Sequence, residues 1–261
     1  SAAVFDGTGD SVNFGDVDAF DFGPSDEFTV ELWVKPDQAQ PVAGSGDVSI
    51  VEKVTGTPYP FLIRLAKGTH ASVPWQLHAS RRDSLSNRPQ IVSSPAFGDG
   101  QWHHIAFTKT GGFLTLYVDG LLEETIADTT DVGATTANAD PLVLGIDSVV
   151  TRAFKGEMDE FRVWNVGRTQ EEIVNAMTKS LLGWEDGLVG YWNFDTATAA
   201  DGAGPNDGTF VGDATTGSST ETYAYNTAPV ATSGITATVE EGQTVAITVT
   251  GSDVDGDVLS F

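Results

Sequence analysis

The chain has no cysteine. Disulfides, thiolate nucleophiles and cysteine-type zinc sites are excluded, so stability must come from a large core or from metal clips. Basic residues are scarce: 13 Lys and Arg stand against 37 Asp and Glu, for a net charge of −24. Phosphate backbones are bound through basic patches, so nucleic acid is not an expected partner. An anionic membrane surface is disfavoured on the same ground. No apolar run approaches the roughly 18–20 residues of a membrane-spanning helix, so no membrane insertion is expected. No secretion leader opens the sequence, which starts in the strand-like Ala2-Ala3-Val4-Phe5.

What is present suits an all-β protein. Of 261 residues, 40% are hydrophobic, with 14 Phe and 6 Trp, enough for one large sandwich core. Glycines, 29 in all, punctuate short apolar runs as turn residues do. Strands are expected at 30–35, 48–53, 61–65, 75–79, 142–146, 190–195 and 208–212. From Gly100 onward, apolar runs separated by Gly111-Gly112 and Asp119-Gly120 predict a meander of three strands. Trp33, Trp102, Trp164 and Trp192 fall inside strand patterns and are expected in the core. One helix is expected within 168–179, capped by Thr169 with Glu172 three residues on and with Ile173 and Met177 on one apolar stripe. The Thr/Ser/Gly-rich stretch 214–222 reads as a linker. A new pattern then begins near Asn226. Its roughly 36 residues are too few to fold alone, so 223–261 reads as a cut repeat and the chain as an excerpt of something longer.

Four phrases occur in a telling order. They are Phe5-Asp6-Gly7, Thr29-Val30-Glu31-Leu32-Trp33-Val34-Lys35, the segment from Gly100-Gln101-Trp102-His103-His104 to Val118-Asp119-Gly120, and Gly156-Glu157-Met158-Asp159-Glu160-Phe161-Arg162-Val163-Trp164-Asn165. Together they resemble the laminin-G-like, concanavalin A-like jelly-roll family over about residues 1–212. The resemblance implies a two-sheet antiparallel jelly-roll sandwich with one short helix, spanning 1–222 and used mostly for binding. The tail resembles the first third of a bacterial cadherin-like or immunoglobulin-like repeat, a partial β-sandwich.

Catalysis is not expected. Glu157-Met158-Asp159 is similar to the catalytic strand Glu-x-Asp-x-x-Glu of concanavalin A-like glycosidases, which need two carboxylates about 5–5.5 Å apart. Here the last position is Arg162. His103 and His104 are neighbours on a strand and so point to opposite faces. If Met158, Phe161 and Val163 all face the core, their unequal spacing demands a bulge at Asp159-Glu160.

Such a bulge frees carbonyls beside a carboxylate, and the resemblance implies a structural Ca²⁺ there. Asp159 would share it with the loop that carries Asp201 and Asn206, and with Asp10 of Gly7-Thr8-Gly9-Asp10 near the start of the chain. The competing reading is an ordinary Asx turn, which favours the same residues. Alternating Asp253, Asp255 and Asp257 in the tail, together with Asn226 near the linker, imply inter-repeat Ca²⁺ by resemblance to cadherin-like repeats; the competing reading is an exposed acidic turn. Tyr59 and Trp75, beside prolines, are candidates for stacking on a sugar, with Arg64, Gln76 and His78 supplying polar contacts; edge packing is the alternative.

Two functions follow as expectations. One is a non-catalytic extracellular or cell-surface binding and adhesion module with structural calcium, whose ligand is a glycan or a protein. The other is a spacer or assembly subunit of a giant bacterial surface protein or extracellular filament, self-associating through its repeats.

Overall fold

The computed structural model describes residues 1–41, 46–67, 75–147 and 152–218, with short backbone pieces at 230–231 and 251–252. The chain divides into two units, Ser1–Thr220 and Glu221–Phe261. In the second, Val230–Ala231 pairs antiparallel with Gly251–Ser252. Asn226, Asp253, Asp255 and Asp257 lie outside the described residues.

The first unit is an antiparallel sandwich. Its strands are β1 (Ala2–Asp6), β2 (Ser11–Asn13), β3 (Phe28–Pro36), β4 (Val48–Glu52), β5 (Tyr59–Ala66), β6 (Gln76–Arg82), β7 (Gln90–Ala96), β8 (His103–Thr110), β9 (Phe113–Val118), β10 (Leu121–Ala127), β11 (Val143–Leu144), β12 (Lys155–Trp164), β13 (Leu188–Trp192), β14 (Thr209–Val211) and β15 (Thr215–Gly217). The first sheet runs β10-β9-β8-β3-β12-β1-β15, with β13 also on β12. The second runs β14-β2-β11-β4-β5-β6-β7. The predicted meander is β8-β9-β10. Its Asp119-Gly120 turn has φ of 52° and 74°, the left-handed pair that a two-residue hairpin turn requires.

Period-two alternation builds the core. Phe28, Val30, Leu32 and Val34 of β3 face Phe61, Ile63 and Leu65 of β5 across the sandwich, joined by Phe107, Phe161 and Trp192. Met158, Phe161 and Val163 are all in that core. The register of β12 against β3 shifts between Asp159 and Arg162, and Glu160 has φ of 51°, so the bulge sits where the spacing demands it.

Two sequence expectations need correction. The stretch 214–222 is not all linker, since β15 pairs with β1 from Ala2 to Val4. Threonine-rich segments look like linkers but also suit pleated edges. Of the four tryptophans, only Trp192 belongs to the sandwich core. Trp33 and Trp164 are buried on the opposite face of the first sheet, and Trp102 is half-buried before β8. Leu32 and Val34 already point inward, so Trp33 between them must point out.

That outward face is roofed by the helix α1 (Gln170–Ala176), which carries the predicted capping box of Thr169 and Glu172. Trp33 Nε1 donates to Met177 O at 2.7 Å, and Arg162 donates to the carbonyls of Ala176 (2.9 Å) and Lys179 (2.6 Å). The last carbonyls of a helix lack partners within it, and these donors supply them. Glu31, fully buried, accepts from Arg168 (2.7 Å), Trp164 Nε1 (3.1 Å) and Arg162 (3.5 Å). Arg162 also donates to Glu160 at 2.6 Å, and Tyr191 OH donates to the same carboxylate. Burial pulls the Arg162 guanidinium down, yet Glu31 and Glu160 hold it above its ordinary range. Position 162, where a glycosidase strand would carry its last carboxylate, is thus a locked cation in a structural web.

Candidate ligand-binding groove

The second sheet carries the candidate site. On β5, core-facing Phe61, Ile63 and Leu65 leave Leu62 and Arg64 on the other face; on β6, Leu77 and Ala79 leave His78, Ser80 and Arg82 there. Register shifts between Ser49 and Val51 and between Tyr59 and Leu62 mark bulges on β4 and β5, and the shift opposite Gln76 and His78 places extra residues on β7. Over this sheet lies a groove of about 340 Å³. Its floor comes from Glu52, Leu62, Arg64 and Tyr59, and its walls from Thr55, Thr57, Arg82, Arg88, Asp147 and Arg152. That volume is within the range of ligand pockets, about 300–1,000 Å³.

The groove collects charge. Four of the chain's seven arginines line it. Two are neutralised: Arg64 Nε donates to Glu52 Oε1 at 2.5 Å, and Arg152 meets Asp147 at 3.3 Å. Burial lowers the Arg64 guanidinium's affinity for its proton, but Glu52 more than restores it. Ser49 Oγ also donates to Glu52 Oε1, while the buried Glu52 Oε2 has no hydrogen-bond partner. The other two arginines are different. Arg82 has neither a carboxylate nor a side-chain hydrogen-bond acceptor in reach among the described residues, and Arg88 approaches only His78 Nε2, at 3.4 Å.

The expected ligand residues are thereby sorted. Tyr59 and Arg64 line the groove, with Tyr59 OH 3.2 Å from Ser80 Oγ. His78 lies beside them as the cross-strand partner of Arg64. Gln76 Nε2 is spent on the Ser93 and Ser94 carbonyls. Trp75 does not line the groove. With φ of 67° it turns onto Gly98, where an added Cβ would lie 2.5 Å from the indole, and Lys67 Nζ sits 5.1 Å over its ring. Sequence reading missed Glu52, Arg82, Arg88 and Arg152. The available signal was scarcity, since Arg81-Arg82 and Arg88 crowd one segment of a chain with few cations.

The expected metal ligands are also placed. Asp10 is buried; its Oδ2 accepts from Asp6 N (2.8 Å) and its Oδ1 from Asp213 N (3.0 Å). Among the described residues, Asp6, Asp10 and Asp213 are the group of three whose carboxylate oxygens lie within 4.8 Å of one another. Desolvation, and then the facing carboxylates, raise the Asp10 carboxyl above its usual range. An oxygen-only donor set of this kind fits Ca²⁺. Asp159 and Asp201 are not in this group. Asp159 Oδ1 accepts from Glu160 N at 2.9 Å. Asp201 receives Tyr191 N, Ala203 N, Asn206 N and Asn206 Nδ2, all within 3.2 Å, which is an Asx-type loop closed on itself.

Fold and groove together define a sandwich-type binding domain. A model for the concanavalin A-like lectin/glucanases superfamily, laminin-G type, matches residues 6–174, and the chain belongs to that family. Pappalysin-1 of Mus musculus is 27% identical over 164 residues, 59% of this chain and 10% of pappalysin-1. Neuronal pentraxin-1 of Rattus norvegicus is 26% identical over 180 residues, 62% of this chain and 38% of that protein. The chain therefore spans a minor part of these relatives. Among solved structures, a candidate carbohydrate-binding protein of Bacteroides ovatus superposes with a TM-score of 0.61 at 21% identity, covering 83% of this chain and 61% of that one. That likeness is one of fold.

Proposed function

We propose that the first unit is a non-catalytic glycan-binding module and that its ligand seats in the groove over β4, β5 and β6. The observation that carries this reading is the groove itself. Polar side chains of Thr55, Thr57, Tyr59, Arg82 and Arg88 converge on one space, and paired strands hold β5 and β6 in register. Tyr59 and Arg82 are fixed on these strands and lose little freedom when a ligand arrives, which favours affinity. The carbohydrate-binding description of the Bacteroides ovatus fold relative agrees with the reading.

A protein ligand is the second reading the family allows. The module would act outside the cell within a larger secreted or surface-attached protein, consistent with the repeat-like tail. A structural Ca²⁺ held by Asp6, Asp10 and Asp213 completes the proposal; the converging carboxylates repel one another, and a divalent cation relieves that repulsion. The test is a broad glycan array probed with the full chain in Ca²⁺. Specific binding abolished by changes in the groove supports the module, while silence across neutral and acidic glycans alike removes it.

A further inference from the structure

We infer that the groove selects an anionic saccharide, one whose carboxylate or sulfate group is received by Arg82 and Arg88; this rests on the glycan-binding reading above. The argument begins with distribution. A chain of net charge −24 has seven arginines. Arg81, Arg162 and Arg168 are consumed inside the fold by Asp128 and the Phe22 and Gly23 carbonyls, by Glu31 and Glu160, and by Glu31. The remaining four line one groove, against two carboxylates.

Those two carboxylates are spoken for. Glu52 is turned to Arg64, and Asp147 to Arg152. This leaves Arg82 and Arg88 as cations with no counter-ion among the described residues. The sandwich segments outside the description, 42–45, 68–74 and 148–151, contain no Asp or Glu. In a protein with nearly three acidic residues for each basic one, two adjacent uncompensated guanidiniums are not a by-product of composition.

Burial sharpens the point. The Nε of each of these two arginines is shielded from solvent and has no acceptor among the described residues. A buried N–H without a partner is costly, and a fixed acceptor delivered by a ligand removes that cost. Guanidinium is the side chain that matches carboxylate and sulfate geometry, through paired N–H donors. The sugar ring would rest by Leu62 and Tyr59, with the Thr57 hydroxyl at hand for its own hydroxyl groups; the Thr55 hydroxyl donates to Asp140. The acidic surface elsewhere repels polyanions in general, so anion binding is confined to this groove.

The test is isothermal titration of the full chain with four probes: a trigalacturonate, a sulfated heparin tetrasaccharide, a neutral cello-oligosaccharide and a short single-stranded DNA. The expected result is binding of the uronate or the sulfated sugar, weakened by NaCl. Arg82→Ala and Arg88→Ala should each lower affinity roughly tenfold, the scale of one charged hydrogen bond, with partial recovery in Arg82→Lys. Lys155→Ala, which removes one positive charge from outside the groove, should change nothing. Unchanged near-ultraviolet dichroism shows that each variant is folded. Which acidic probe binds tells uronate from sulfate recognition. Binding of the neutral sugar alone overturns the anionic inference and leaves the glycan module standing. Silence with every sugar overturns both. DNA bound as tightly as the acidic sugars, or equal losses in Lys155→Ala and Arg82→Ala, reduces the effect to bulk charge and overturns the inference.

Discussion

His103 and His104 show how much one strand position decides. His103 faces the surface between Asp119 (2.9 Å) and Asp99 (3.2 Å), whose hydrogen bonds and charge outweigh desolvation and raise its affinity for a proton. His104 lies fully buried beneath α1, edge-on to Trp33 and 3.9 Å from Glu31, and burial pushes it from its usual 6.5 to about 4. In the window between those values the unfolded chain binds a proton at this site and the folded chain does not. Stability therefore falls as pH drops through it, by roughly 3 kcal/mol at most for this one group. Urea unfolding at pH 6.8 and 5.2 should show that dependence, and His104→Gln should flatten it by about one proton. The opposition of these two histidines was legible from period two alone. The position of Trp33 outside the core was legible by the same rule, since it shares its face with Thr29 and Glu31, but the helix that buries it there was not. Gly156 is a second decisive position: with φ of 144°, a Cβ there would lie 2.2 Å from Lys35 O. Gly156→Ala should cost more than about 2 kcal/mol in the same assay.

At the scale of elements, β12 and α1 hold one another. The bulge at Glu160 was readable from the spacing of Met158, Phe161 and Val163, but its use was not, since the partners Glu31, Tyr191 and the helix end come from distant segments. Arg162→Met would leave Glu31 and Glu160 buried with one guanidinium fewer, and should destabilise by about 3–5 kcal/mol. Thr169→Ala, which removes the helix cap, should cost only about 1 kcal/mol. Thermal melts of the two variants should rank in that order; a milder effect at Arg162 would mean the helix is held by its apolar stripe instead. The groove was only half legible for a related reason. Tyr59, Arg64 and His78 carry local signals of strand and proline, whereas Arg82 and Arg88 meet them only once β5 and β6 pair, and Arg152 reaches the groove from a segment distant in sequence.

For the whole molecule, self-repulsion at net −24 makes cations part of the stability question. The raised Asp10 carboxyl stabilises the fold at low pH, and this contribution is lost as pH rises through its native value. Neutral pH is thus where a divalent ion at Asp6, Asp10 and Asp213 should matter most. EDTA should lower the melting temperature at pH 7, Ca²⁺ should restore it, and NaCl at matched ionic strength should not. Binding at 100 times the dissociation constant would add about 2.7 kcal/mol. The double change Asp6→Asn with Asp213→Asn should abolish the calcium response; a response that survives it places the ion elsewhere. A different consequence follows from the position of β1, interior to its sheet and paired from Ala3 to Met158 and from Ala2 to Gly217. At a ribosomal pace of about 5–20 residues per second, Ala3 waits on the order of ten to thirty seconds for its first partner to be made. Throughout that delay the apolar row Ala3 and Phe5 trails from the nascent chain with both backbone edges open. The growing domain must keep β1 from pairing with a neighbour until β12 arrives.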